Sequence, residues 1–492
     1  MRHSKRSFRN PEGVLAVLLG MRATSSGWGV FVSMVLIMGT LSPSFAQDAA
    51  PGSQGGAPAS SQGGPPASSA SDGGQEISPV GEYKEGLALG GWMFMPQIFL
   101  GGVYNSNPNQ LATNPDNGWS LRVSPRITGF YDGGMYKTSV YGVMDGEFFN
   151  TNTIAATAGV NSSYQPHDDL LLSSFFNYTR ETSLFNSALN FNNNAIGPPG
   201  APPSGIPLVL NPFGTTPSVN PIAFNQFTLG GSINKTFDQF FASLGATGFY
   251  ILYDDQSNLI QSPFNTSNNG LSVWVQGRAG YHFIPGVYVF AEGDGIFQRY
   301  NNSVFDTNGY RVIGGLGVDD PQSLFRGEVY GGYQAQFQSA HDNIFGTPSI
   351  PLVTPNGIAN NISSGVFGGR LSYYPTQYWT WIASVDQTLG VTTALAPNIP
   401  AGTPSKVTTA ILQTTYGISR DWWVGVRGGY TQGWFFGFSP ETQGWLAGAS
   451  FNYALWRNLL LTLDYQYTTE HSSAPFSTFT QNTVTVGLTY KY

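Results

Sequence analysis

A two-residue alternation recurs from residue 93 to the C-terminus and limits the chain to very few folds. From Leu459 to Tyr467, Leu459, Leu461, Leu463, Tyr465 and Tyr467 occupy one parity, and Leu460, Thr462, Asp464 and Gln466 the other. The last ten residues repeat the pattern, with Val484, Val486, Leu488, Tyr490 and Tyr492 set against Thr483, Thr485, Gly487, Thr489 and Lys491. Side chains alternate faces along a strand, so each stretch is a strand with an apolar, aromatic face and a small, polar one. A soluble β-sandwich alternates too, and composition separates the two cases. Only 10% of the 492 residues are charged while 14% are aromatic, against roughly 25% charged in ordinary soluble domains. That aromatic content excludes general disorder, and no apolar run reaches the ~18 residues of a membrane helix. The expected fold class is all-β, a closed antiparallel transmembrane β-barrel.

The pattern predicts strands over residues 93–105, 118–131, 135–149, 152–165, 169–181, 224–237, 239–253, 269–283 and 287–300. Further strands are expected over 309–318, 323–339, 363–374, 378–392, 406–418, 422–436, 443–455, 458–470 and 479–492. These are eighteen, with sixteen the alternative, and a closed bacterial barrel takes an even number. Short turns at Asp132-Gly133-Gly134, His167-Asp168, Asp238, Pro285-Gly286, Asp319-Asp320-Pro321, Pro375-Thr376, Arg420-Asp421 and Trp456-Arg457 alternate with longer Asn/Pro/Gly-rich loops. Short periplasmic turns opposite longer outer loops are the asymmetry of outer-membrane barrels.

Lys5, Arg6, Arg9 and Arg22 precede an apolar stretch over 30–38, and Ser44-Phe45-Ala46 has small-x-small form. This order predicts a secretory signal peptide over 1–46, starting at Met1 or Met21. The Gly/Ser/Pro/Ala-rich segment 47–75 reads as a disordered linker, 76–92 as a pre-barrel segment, and 93–492 as the barrel. Removing 1–46 takes five basic and one acidic residue from totals of 21 and 28, leaving a net charge of −11. That balance argues against nucleic acid.

A signal peptide, this strand and loop pattern and a final Thr489-Tyr490-Lys491-Tyr492 together resemble a Gram-negative outer-membrane porin. The opening Gly102-Val103-Tyr104-Asn105-Ser106-Asn107, followed by Leu121-Arg122-Val123-Ser124-Pro125-Arg126-Ile127, is similar to the start of an outer-membrane β-barrel porin family found with exopolysaccharide gene clusters. The resemblance implies an outer-membrane location, contact with lipid and lipopolysaccharide, and a C-terminal signal (Leu488, Tyr490, Tyr492) read by the barrel-assembly machinery.

Facing Arg or Lys toward lipid at mid-bilayer costs roughly 2–4 kcal/mol, so strand charges are expected inside. The inward set is Arg122, Arg126, Lys137, Asp145, Glu147, Arg278, Glu292, Asp294, Arg311, Arg326, Glu328, Arg370, Asp386, Arg427 and Asp464. Mixed signs suit a wet channel of modest selectivity, or pairs that merely stiffen the wall. Inward Trp274, Tyr330, Phe249 and Trp423 would either stack on sugars or fill space. The uncharged segment 182–223 is far longer than an ordinary connection. With Phe185, Phe191, Leu208, Leu210 and Phe213 it is the candidate constriction loop, against the reading of a surface loop.

The mature histidines, His167, His282, His341 and His471, define no catalytic set, and neither a metal-ligand spacing nor a cofactor motif is present. The expectation is a non-enzymatic porin passing small polar solutes, with no cofactor and with homo-oligomers allowed. The alternatives are a component of exopolysaccharide export and a plugged structural or adhesive barrel.

Overall fold

The computed structural model describes residues 86–108, 115–149, 153–183, 222–254, 269–301, 306–320, 322–338, 361–391, 404–436, 441–472 and 478–492. Nineteen strands run in chain order through these residues. They are β1 (Leu87–Leu89), β2 (Trp92–Asn105), β3 (Gly118–Asp132), β4 (Tyr136–Phe148), β5 (Thr153–His167), β6 (Leu170–Ser183) and β7 (Ile222–Phe237). Next come β8 (Phe240–Tyr253), β9 (Gly270–Ile284), β10 (Val287–Tyr300), β11 (Thr307–Val318), β12 (Phe325–Gln338) and β13 (Ile362–Thr376). The last six are β14 (Trp379–Val391), β15 (Pro404–Gly417), β16 (Trp422–Phe435), β17 (Glu441–Trp456), β18 (Leu459–Ser472) and β19 (Phe479–Lys491). No helix occurs among the described residues.

From β2 onward each strand pairs antiparallel with the next. β19 then returns to β2, from Thr483↔Asn105 to Lys491↔Gln97, which closes an eighteen-strand barrel. Closure matters because hydrocarbon offers no partner to an open sheet edge. The expected strands correspond to β2–β19 with ends shifted by at most two residues. Three turns lie one or two residues further along than expected, because His167 still pairs with Leu170, Thr376 with Trp379 and Trp456 with Leu459. The hairpins therefore close at Asp168-Asp169, Gln377-Tyr378 and Arg457-Asn458.

The expected pre-barrel segment contains β1, which turns back on β2 from Leu89↔Trp92 to Leu87↔Phe94. Its two-residue turn is Gly90-Gly91, with φ of +56° and +84°, a geometry that glycine adopts freely. β1 lies along β2 beyond the point where β19 ends, as Tyr492 donates its N–H to the Pro96 carbonyl at 3.1 Å.

Apolar residues of one parity, such as Leu121, Leu229, Leu244, Val312, Leu316, Val426 and Leu463, are exposed and form the outer face. Aromatic pairs bound this face at both ends. Toward the long loops stand Tyr104–Trp119, Tyr178–Phe227, Tyr310–Tyr333 and Tyr430–Trp445. Toward the short turns stand Trp92–Tyr131, Phe240–Tyr281, Phe325–Tyr373 and Trp379–Tyr416. On β3, Trp119 and Tyr131 span ~40 Å of strand at ~3.3 Å per residue, or ~30 Å of height at a tilt near 40°. Two such girdles around an apolar band mark a membrane-spanning exterior.

Candidate functional site

With the outer face fixed, the opposite parity defines the interior, and every charged residue expected inside falls on it. Register places Arg122 opposite Glu147, Arg278 opposite Glu292, Arg311 opposite Asp294, and Glu328 opposite Arg370.

These charges divide by what they touch. Across β9–β12, Arg278 bonds Glu292 (3.4 Å) and Glu328, while Arg311 bonds Asp294 (2.6 Å) and Glu292 (3.1 Å). Tyr288 donates to the same Glu328 oxygen at 3.2 Å. The Arg278 guanidinium lies 3.6 Å from the Phe290 ring centroid. Arg278, Glu292 and Asp294 keep only 5–6% of their surface exposed, so they brace the wall and are closed to solvent. Paired and hydrogen-bonded charges tolerate such burial, whereas a lone one does not.

A second set is more open. Arg427 reaches over β17 to Asp464 (2.8 Å) and Gln466 (2.9 Å). Arg122 holds Asp145 by two hydrogen bonds, one of 2.8 Å, where Ser124-Pro125 interrupt the β3–β4 ladder. Lys137 stands 3.7 Å from Asp132 at the short-turn end, both largely exposed. Arg326 lies over Tyr374, with its guanidinium carbon 4.8 Å from the ring centroid. Asp386 accepts a hydrogen bond from Tyr330. Arg370 is exposed and forms no ion pair among the described residues, because its register partner Glu328 is already held by Arg278 and Tyr288.

Inward aromatics follow a repeated rule, in which the ring lies over a glycine directly opposite on the neighbouring strand. Tyr141 covers Gly159, Phe175 covers Gly230, Phe241 covers Gly280, Tyr288 covers Gly317, Phe290 covers Gly315 and Tyr330 covers Gly368. Such cover compensates a strand glycine for its missing side chain. Phe241, Tyr288, Phe290, Ile313 and Val366, with Tyr330 beside them, form the one apolar cluster of buried residues recorded among the described residues. Trp274, Phe249 and Trp423 also face inward by register.

Four basic residues depart from the inward rule. Arg180, Lys235, Arg299 and Lys406 have the outward parity, each near a strand end and each with a partner, which for Lys406 is the Trp434 ring at 5.0 Å. Arg180 bonds Asp254 (2.6 Å) and Asn225 (3.0 Å). Lys235 bonds Asp169 in the short β5–β6 turn, which holds that carboxyl below its usual range. Arg299 donates to Asn308 at 2.8 Å. The cost of an outward charge falls toward the interfaces, and long side chains reach water there.

The sequence reading missed Gln298, Gln334, Gln336 and Glu470, inner-face residues with 1–4% exposure. Their parity would have found them. Leu488, Tyr490 and Tyr492 lie outward on or just past β19 and are exposed. Phe185, Phe191, Leu208, Leu210 and Phe213 lie outside the described residues, as does His341. His282 pairs with Asp319 (3.0 Å) beside a short turn. Among the described residues no cluster of metal-ligating side chains occurs.

A closed antiparallel barrel with a girdled apolar exterior and a charged interior defines an outer-membrane β-barrel protein. The chain belongs to the porin family described as "Putative beta-barrel porin 2", whose profile matches residues 211–492, more than half its length. Membership places it among channel-type proteins and not enzymes. No curated protein sequence matches the chain. Among solved structures it is similar to the outer-membrane protein OpdK from Pseudomonas aeruginosa, at 11% identity and TM-score 0.38, covering 81% of this chain and 99% of that one. It is also similar to a BenF-like porin from Pseudomonas fluorescens Pf-5, at 10% identity and TM-score 0.39, with the same coverage. An anion-selective porin from Comamonas acidovorans matches at 11% identity and TM-score 0.31, covering 82% and 99%.

Proposed function

We propose that the protein is an outer-membrane channel that passes small polar solutes through the barrel interior. The observation that supports this most is an inner wall of two kinds. A buried ionic brace stiffens β9–β12, while Arg370 and Gln276 face inward and remain exposed. Exposed groups of this kind suit contact with hydrated solutes, and mixed signs favour weak ion selectivity. In this reading the N-terminal signal exports the chain, and Leu488, Tyr490 and Tyr492 are read during assembly. Lipopolysaccharide then surrounds the outer girdle, and the segment carrying Phe185, Phe191, Leu208, Leu210 and Phe213 narrows the passage by size.

A second reading, polysaccharide export, draws on Tyr141 and Phe175, half-buried inward rings resting on wall glycines. Rings held in that way would offer a face to a sugar. Swelling of proteoliposomes in graded neutral sugars separates the two. Entry of mono- and disaccharides with a size cut-off supports small-solute diffusion. Exclusion of every small sugar would contradict it.

A further inference from the structure

β13 pairs with β12 along nearly its whole length, from Phe325↔Tyr373 to Gln336↔Ile362. Its ladder with β14 stops much sooner, at Gly368↔Asp386. β14 stays joined to β15 up to Val391↔Pro404. Residues 387–391 therefore part from β13 while they stay on the edge of β15, which itself remains paired with β16 from Ser405↔Phe435 onward.

Their destination is recorded by side chains of β12. The Gln334 carboxamide accepts from the Leu389 N–H at 3.2 Å and donates to the Leu389 carbonyl at 3.3 Å. Gln336 donates to the same carbonyl at 3.0 Å. A glutamine side chain thus replaces the ladder that β13 would otherwise supply. Gln334 and Gln336 lie on the inner face, so the end of β14 crosses the inside of β13. Leu389, Val366 and Ile362 are buried there, at 5%, 3% and 8% exposure.

Among the described residues, the departure leaves 362–367 of β13 without a strand partner on one side, a seam of ~20 Å at ~3.3 Å per residue. Gly365 of this stretch pairs with Tyr333 of the outer girdle, so the seam lies at the level of the outer leaflet. Unpaired backbone is costly at that depth, and a wall-paired arrangement would relieve it.

The sequence suits both arrangements. On β14, Trp381, Ala383, Val385 and Leu389 share the outward parity with one polar residue, Gln387, whose amide donates to Thr408 at 2.8 Å, while Ser384, Asp386, Thr388 and Gly390 share the inward one. That is the pattern of a wall strand continued past the point where the wall ends. Extending the register of Gly368↔Asp386 sets Val366 opposite Thr388 and Ser364 opposite Gly390, with Leu389 turned to lipid. Conversely, Val366 and Ile362 are apolar residues on an inner face, and Leu389 covers them only when β14 folds in.

We propose that the outer end of β14, carried on the edge of β15, is a gate with two positions. One is folded inward and latched by Gln334 and Gln336, which narrows the interior. The other is zipped against β13, which closes the seam and widens the interior. Bistable elements of this kind switch between discrete packings. The proposal rests on the channel reading above.

The chain has no cysteine, so a paired Ser364→Cys, Gly390→Cys variant reports the zipped position directly. Oxidation should form the disulfide, seen as a gel shift, and raise unitary conductance several-fold in a planar bilayer. Reductant should return it to the wild-type value. Gln334→Ala with Gln336→Ala should lengthen visits to the high-conductance level. Failure of the disulfide to form, or its formation without a change in conductance, overturns the gate. A conducting wild type with an unresponsive locked variant removes the gate alone. Silence of both removes the channel reading as well.

Discussion

Arg427 on β16 crosses Gly448 of β17 to hold Asp464 of β18 through two hydrogen bonds of 2.8 Å. The bridge spans an intervening strand, and glycine is what permits it. A Cβ at residue 448 would stand 2.8 Å from the Arg427 Nε and 3.0 Å from its Cζ. Gly448→Val should displace the guanidinium and weaken the pair without stopping assembly. The expected loss is ~1.5–3 kcal/mol, the scale of a hydrogen bond to a charged group. A lowered temperature of heat-modifiable gel migration is the readout, and an unchanged temperature would show that the bridge adds nothing.

Glycines under aromatic rings should behave differently from those facing lipid. A Cβ at Gly317 would collide with the ring of Tyr288, whereas one at Gly293 meets nothing within 4 Å. Gly317→Val should cost ~1–3 kcal/mol through overpacking, and Gly293→Val should be tolerated. Assembly yield and thermal gel shifts of the two variants test the contrast.

Among the inner-wall charges, Arg370 and Arg311 should separate selectivity from stability. Arg370 is exposed and lacks an ion-pair partner among the described residues, so Arg370→Glu should move the reversal potential toward cations while assembly is kept. Arg311 is pinned to Asp294 and Glu292, which are nearly inaccessible. Arg311→Leu strands the buried Asp294 and leaves Glu292 with Arg278 alone, and breaking such a buried pair costs ~3–5 kcal/mol. Loss of folded barrel is the expected outcome there. If both variants assemble alike and conduct alike, the division of the wall into brace and passage is wrong.

The wall was legible in the sequence because lipid outside and polar groups inside impose a period of two on every strand. Eighteen strands and the inward parity of fifteen charges followed from that single constraint. Pairing was not legible. Arg278 on β9 takes Glu328 of β12 through barrel curvature and side-chain reach, which alternation does not encode. Arg180 escaped the inward rule because its depth, near a strand end, depends on strand tilt and stagger. β1 is three residues long and carries too little pattern to register. The lapse between β13 and β14 was hidden for a different reason, since Val385 and Leu389 keep the outward parity of a wall strand, with Gln387 alone between them, while the Leu389 backbone bonds to Gln334.

Current across a planar bilayer is the most direct test of the central claim, that the interior of this barrel is a passage. Purified full-length protein should insert and carry steady ohmic current, with a reversal potential close to zero in a salt gradient and partial block by small sugars. Stable insertion with no current at any salt concentration or voltage would contradict the account and identify a plugged barrel.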